Sequence, residues 1–277
     1  MGFNVKPWHF VTLLLLQWAC QSSPSDTQKP RANTEPALSL TPQLTYSVVD
    51  TFSHPILNFT EGLLVHRGQC IESTGSPDGR PDLKSQIGIL NLSSGAFSVT
   101  AQLDKEFFGE GIAVLNSTCY QVTYKHQSGF LYDVQKFSAK GRFSYPNKEG
   151  WGLTTDGRYL IMSDGTHELS YFEPETFAPV KKIEVTEGGF AIPHLNELEY
   201  IKGFVYANIW MSNEVVKINP STGQVVGRFD FSKLREHAYQ SFQGIAEMNG
   251  IAYDSASGHL LVTGKLWPYL YALRVDL

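Results

Sequence analysis

Residues 61–75, EGLLVHRGQCIESTG, set a polar residue and a Gly-apolar pair ahead of a short turn, His66-Arg67-Gly68, and a second apolar run that ends in small polar residues. Four later stretches repeat this layout, starting at Glu110-Gly111-Ile112-Ala113, Trp151-Gly152-Leu153-Thr154, Glu197-Leu198-Glu199-Tyr200 and Asn249-Gly250-Ile251-Ala252. In the first four copies the return lands 13 residues after the start, at Thr74, Thr123, Asp164 and Trp210; the fifth returns at Thr263-Gly264-Lys265, with Ser257-Gly258 in its turn to hold the extra length. Each copy reads as two short strands around a tight turn, followed by more β-branched and aromatic residues and Ser-Gly, Thr-Gly or Pro punctuation. Residues 44–277 shared among five copies give about 47 residues each, the length of a four-stranded propeller blade. The expected fold is all-β, a five-bladed β-propeller. Residues 44–52 alternate apolar and polar and are expected to add the outer strand of the last blade, closing the ring. A β-sandwich has similar strand content but no reason to recur fivefold. Residues 228–243, free of Gly and Pro, have room for one short helix.

Composition agrees with short strands. Of the 277 residues 42% are hydrophobic and 13% aromatic, enough for a sizeable core, while only 18% are charged and 24 Gly and 14 Pro interrupt the chain too often for long helices. The net charge of -5, with no block of Lys or Arg, gives no footprint for nucleic acid or for an anionic membrane surface. Lys6 followed by the apolar run VTLLLL at 11–16 and by Ala19-Cys20 reads as an export signal, residues 1–19, too short to span a bilayer. Cys20 would then be the lipidated terminus of a bacterial lipoprotein, with ordinary cleavage after Ser22 as the competing reading. Residues 20–43, rich in Ser, Thr and Pro, form a tether, and 44–277 the propeller. The expected location is outside the cytoplasm, membrane-anchored through that lipid and facing the periplasm or the cell exterior.

Cys70 and Cys119 each lie nine residues after a leading Glu, at equivalent sites in adjacent blades. Such sites, about 10 Å from a fivefold axis, are about 12 Å apart, beyond the roughly 7 Å limit for a disulfide, so two free buried thiols are expected. The eight His are scattered and never cluster with Cys, so no zinc site is expected; a structural calcium ion in the propeller channel stays open. Asn-x-Ser/Thr sequons at Asn58, Asn91 and Asn116 are taken as chance.

In a propeller, the starts of first strands and the ends of second strands meet at one mouth of the central channel. That puts Glu61, Glu110, Trp151, Asn196 or Glu197, and Asn249 in an inner ring, with Thr74, Tyr124, Asp164, Trp210 and Lys265 behind. Carboxylate, amide, ammonium and aromatic groups from different blades would share one pocket suited to acid/base chemistry on a small ligand. The bland readings are solvated rim glutamates, tryptophans packed between blades and Asp164 as a turn former. Lys265, in an otherwise apolar strand end, resists that reading because a buried ammonium is costly unless paired.

At these positions the chain resembles the plant and bacterial (papaya-type) glutaminyl-peptide cyclotransferase family. Nine segments in order carry the resemblance: FTEGL at 59–63, ESTG at 72–75, FGEGI at 108–112, EGWGLT at 149–154, MSDG at 162–165, LNELEY at 195–200, ANIW at 207–210, NGIAY at 249–253 and VTGKLWP at 262–268. The resemblance implies a five-bladed propeller that converts N-terminal Gln of peptides or proteins to pyroglutamate with loss of ammonia and without a catalytic metal; a monomer with no cofactor is expected. It implies Glu110 as the acid/base, Asn196 and Lys265 as polar partners of the reacting amide, and Phe59, Phe108, Trp151 and Trp210 as pocket walls. Two positions depart: Glu61 stands where the family usually has Gln, and Tyr124 where it has Trp. Both touch the substrate-binding surface. The rival functions are a non-catalytic peptide-binding propeller with a degenerate pocket and a metal-dependent lactonase-like hydrolase.

Overall fold

The computed structural model describes residues 1–2 and 41–277; residues 3–40, on which the expected export signal and most of the expected tether fall, lie outside the described residues. The chain enters through β1 (Tyr46–Ser53) and then builds four-stranded antiparallel sheets one after another. The first holds β2 (Thr60–His66), β3 (Gln69–Thr74), β4 (Gln86–Asn91) and β5 (Ala96–Gln102). The second holds β6 (Gly109–Leu115), β7 (Thr118–Thr123), β8 (Ser128–Asp133) and β9 (Ala139–Ser144). The third holds β10 (Leu153–Thr155), β11 (Leu160–Ser163), β12 (Glu168–Phe172) and β13 (Pro179–Glu184). A small hairpin, β14 (Thr186–Glu187) and β15 (Phe190–Ala191), precedes the fourth, which holds β16 (Leu195–Ile201), β17 (Phe204–Ile209), β18 (Glu214–Ile218) and β19 (Val225–Asp230). Helix α1 (Ser232–Ser241) leads to β20 (Met248–Asp254), β21 (His259–Gly264) and β22 (Tyr269–Val275). These last three strands and β1 form the fifth sheet, in the order β1-β22-β21-β20. The strands β2, β6, β10, β16 and β20 each touch the next, and β20 returns to β2, so the five sheets are blades around a common axis.

The blades follow from the hydrophobic pattern. Inner strands are covered on both faces by neighbouring blades and read as continuous buried runs, as in β2, β6 and β20, while the outer strands β5, β9 and β13 face solvent and are exposed along most of their length. Five buried clusters fill the five seams. One joins Leu64 and Ile71 to Ile112, Cys119 and Tyr132; the others repeat the arrangement around the ring, ending with Leu63, Cys70 and Leu90 against Leu261 and Leu270. The glycines of the repeat sit where inner strands approach most closely: a Cβ on Gly111 would overlap the Leu153 amide nitrogen, and one on Gly152 the Asn196 carbonyl oxygen. Cys70 and Cys119 are free and buried, in different seam clusters, and burial pushes the Cys119 thiol up to about 12.

β1 pairs along the whole of β22, from Tyr46 opposite Val275 to Ser53 opposite Tyr269. The residues just before it also engage the fourth blade: Leu44 N–H donates to the Arg228 carbonyl at 2.7 Å and Arg228 N–H to the Pro42 carbonyl at 3.0 Å. Pro42 and Gln43 therefore already belong to the propeller surface. α1 packs Leu234 and Ala238 into the seam between the fourth and fifth blades, beside Phe229, Phe231 and Trp267.

Candidate active site

Four inner strands begin with a register irregularity: between Thr60 and Gly62, Gly109 and Ile112, Leu195 and Leu198, and Met248 and Ile251. A bulge at a strand end turns a side chain out of the sheet's alternation. Here the bulges carry Glu61, Glu110, Asn196 and Asn249, so the segments that break the ladder are those that serve the channel mouth. Glu61, Glu110 and Asn196 line a cavity of about 470 Å³, together with Lys265, which follows β21.

The same cavity is lined by Phe59, Phe108, Tyr124, Trp151 and Trp210. Their rings contact in sequence around the mouth: Phe59 to Phe108 at 6.2 Å, Phe108 to Tyr124 at 5.9 Å, Tyr124 to Trp151 at 6.5 Å and Trp151 to Trp210 at 5.6 Å between centroids. Edge-to-face contacts, with the Tyr124–Trp151 pair tilted at 59°, hold the rings at fixed angles. Two of the rings lie directly over glycines, Phe108 over Gly75 and Trp151 over Gly165, where any side chain would displace them. The aromatic wall thus draws on four blades. The nine residues singled out as catalytic or substrate-binding, Phe59, Glu61, Phe108, Glu110, Tyr124, Trp151, Asn196, Trp210 and Lys265, all line this one cavity, while other expected members of the ring do not.

Its floor is charged and almost dry: Glu61 is 1% exposed, Glu110 5%, Asn196 3% and Lys265 6%. Lys265 Nζ lies 2.9 Å from Glu61 Oε1 and 4.7 Å from the centre of the Phe59 ring. Asn249 Nδ2 donates to Glu61 Oε2 at 3.1 Å and to the Thr60 carbonyl at 3.0 Å, fixing the carboxylate from behind. Burial raises Glu61 to about 7, against the pull of Lys265, with Glu247 adding to the rise. Glu110 is held well above the usual carboxylate range by burial first, then by the Glu61 charge, with Lys265 opposing and Glu149 reinforcing. For Lys265 burial works downward, but the Glu61 and Glu110 charges outweigh it and the ammonium is favoured. Asn196 Oδ1 is buried without a hydrogen-bond partner, an acceptor left for a ligand.

Several expected members of the ring do other work. Glu197 alternates away from Asn196 and spans the channel, its Oε1 accepting from Leu63 N–H at 3.2 Å and its Oε2 from Ile251 N–H at 2.9 Å. Asn249 braces Glu61 and does not line the cavity; Thr74 donates to the Lys84 carbonyl, and Asp164 ties Asn147 to Thr166. Glu247, at the cavity wall, carries no repeat signal in the sequence, and neither does a buried cluster behind Phe59. There Glu72 accepts from Asn58 Nδ2 at 2.7 Å and Thr60 Oγ1 at 2.7 Å and meets His54 Nε2 at 3.1 Å, while His54 Nδ1 donates to the Trp267 carbonyl at 2.8 Å. This cluster stitches the segment carrying Phe59 and Glu61 to the turn carrying Lys265. Its only sequence signal was four polar residues in apolar surroundings. It also occupies the Asn58 amide, so that sequon is closed to a glycan. Among the described residues no group of three or more His, Cys, Asp or Glu is placed to hold a metal ion.

The glutamine cyclotransferase family model matches residues 14–275. The chain is 38% identical over 230 residues to a glutaminyl-peptide cyclotransferase of Arabidopsis thaliana, an alignment covering 82% of this chain and 70% of that one. It is also similar to the crystal structure of Myxococcus xanthus glutaminyl cyclase, with 32% identity and a TM-score of 0.76 over 85% of this chain and 98% of that chain.

Proposed function

The chain belongs to the glutamine cyclotransferase family, and from that premise we propose that it cyclises the N-terminal glutamine of peptides and proteins to pyroglutamate, releasing ammonia, in the pocket at the channel mouth. One observation carries the assignment to this pocket: a buried carboxyl held above its usual range, Glu110, shares a small aromatic-walled cavity with an ammonium, Lys265, and an unpartnered amide oxygen, Asn196 Oδ1. The reaction needs no enzyme nucleophile, because the substrate's own α-amine attacks its γ-carboxamide carbon. Confinement in a bent conformation therefore supplies much of the rate. The aromatic wall suits the methylenes of the glutamine side chain and excludes the water that would compete for its amide.

As the C–N bond forms, the carbonyl electron pair moves onto oxygen, and Lys265 is the cation at hand to stabilise that oxyanion. Asn196 Oδ1 accepts from the carboxamide N–H₂ and orients it. Glu110, whose carboxyl burial holds above the usual range, enters this scheme protonated, gives its proton to the departing nitrogen and takes one from the newly bonded nitrogen; the oxyanion then collapses and ammonia leaves. A carboxyl with a raised pKa suits this double duty. Every step uses these side chains, and we propose that no catalytic metal takes part. Phe59, Phe108, Tyr124, Trp151 and Trp210 bind substrate, and Glu61 faces its amino end. Export and lipid anchoring at Cys20 are proposed on the leader-like residues 1–19 alone. The test is direct: protein incubated with a Gln-initiated dipeptide releases ammonia and leaves a product blocked to amine reagents. Folded protein that leaves the dipeptide intact contradicts the proposal.

A further inference from the structure

Before the α-amine can attack, it must lose a proton, because a peptide's amino terminus is an ammonium below about pH 8. Glu110 enters the reaction already protonated in the scheme above, so another group must take this first proton. The floor of the pocket holds one candidate. Glu61 lines the cavity on the bulge of β2, its Oε2 held by Asn249 Nδ2 and its Oε1 against Lys265 Nζ at 2.9 Å. The ionisable groups that bear on it are Lys265 after β21, Glu110 on β6, Glu247 ahead of β20 and Glu197 on β16; beyond Glu110 stand Glu149 and Tyr145.

We propose that Glu61 accepts the first proton of the substrate's α-ammonium and, on becoming neutral, gives up Lys265 to the oxyanion. The inference rests on the cyclase reading of this pocket. It resolves a conflict in that reading: a lysine locked in an ion pair 2.9 Å from a carboxylate is a poor donor to a second anion. Protonation of Glu61 dissolves the pair when the nucleophile becomes competent. The balance closes. The ammonium proton passes to Glu61, the amine nitrogen bonds to the carboxamide carbon, and the carbonyl pair goes to oxygen beside Lys265. Glu110 relays a proton from the new ring nitrogen to the leaving nitrogen, the carbonyl re-forms, and ammonia departs carrying the proton held on Glu61, as ammonium. Glu61 is then a carboxylate again and recaptures Lys265. Its pKa of about 7 lies close to that of a peptide α-amine, so the transfer is nearly level in free energy.

The experiment is the pH profile of kcat/KM for a Gln-initiated dipeptide. Wild-type protein reacts through ionised Glu61 and the ammonium form of the substrate, so its profile is a bell that falls above the substrate's amine pKa. Glu61→Gln can use only free amine: its rate is expected about tenfold lower than wild type at pH 6 and to rise to a plateau at alkaline pH with no fall. Glu61→Asp, which keeps a carboxylate, retains the bell. A Glu61→Gln profile of wild-type shape overturns the proposal. Infrared difference spectra of wild-type protein read the same transfer without a substitution. Binding a non-cyclisable Met-initiated dipeptide at pH 7 is expected to add a protonated-carboxyl band, and an unchanged carboxyl region contradicts it. Wild-type protein that releases no ammonia at any pH would instead refute the cyclase reading itself.

Discussion

Glu61, Glu110, Glu197 and Glu199 bring four carboxyls into or beside one channel, and burial is the largest influence on each, raising all of them. The proposed chemistry uses the first two. The other two are structural: Glu197 receives backbone N–H groups of the first and fifth blades, and Glu199 accepts from Tyr253 N–H at 2.9 Å. Glu199 rises from an ordinary 4.5 to about 8. A group whose pKa is higher folded than unfolded contributes stability that is complete below its unfolded value and is lost as pH rises through its folded value. Glu199 therefore costs stability progressively between about pH 4.5 and 8. Glu199→Gln, which keeps a carbonyl for Tyr253, is expected to flatten the fall of Tm with pH across that window in calorimetry; parallel wild-type and variant curves contradict this. At this scale the sequence was informative where residue type and strand position coincide. Glu110, Lys265 and the aromatic residues recur at strand starts and ends, which the topology gathers at one mouth. It left Asn196 and Glu197 undecided, since adjacent residues point to opposite faces and only the bulge at Leu195 to Leu198 selects one. The His54–Glu72 cluster was hidden because its members come from three separate segments.

Among the elements, the inner strands do the most. They must be apolar enough to be covered on both faces, thin enough to approach one another, and broken at one end to release a polar side chain toward the channel. A Gly-apolar start supplies the thin, apolar strand in four of the five copies, Glu197-Leu198 being the exception, and the recurring spacing made all five strand pairs readable. Gly111 is the clearest case of thinness, with the Leu153 amide nitrogen where its Cβ would stand. Gly111→Ala is expected to destabilise the fold by about 3 kcal/mol, since the atoms a Cβ would meet are all backbone of residues 151–153 and leave no flexible neighbour to yield. Denaturant unfolding measures it, and a loss below about 0.5 kcal/mol would show that the seam can relax. The β14–β15 hairpin was not anticipated: its Gly188-Gly189 turn, both residues at positive φ, is a short insertion that belongs to no blade and carries the exposed Phe190. The helix was legible as an interval without Gly or Pro, but its docking through Leu234 and Ala238 was not.

For the molecule as a whole, the ring matters because no single blade holds the site. The aromatic wall takes residues from four blades and Lys265 comes from the fifth, so any loss of closure between the fifth and first blades moves Lys265 away from Glu61. Closure rests on β1 along β22, on the His54–Glu72 cluster, and on Leu44 and Pro42 against Arg228. Deleting residues 41–53 is expected to expose the β22 edge and to lower Tm and activity together; an unchanged Tm would show that the ring holds without its outer strand. The repeat length predicted the number of blades, but the clasp of residues 42–44 on the fourth blade was invisible in a stretch whose composition resembles a tether. The central claim is that this ring assembles a pocket in which Glu110 moves the proton that lets ammonia leave. The most direct measurement is ammonia release from a Gln-initiated dipeptide by Glu110→Gln, with Tm recorded alongside. A fall in kcat of about 100-fold or more with Tm preserved is expected; a folded variant that turns over at the wild-type rate would contradict the account.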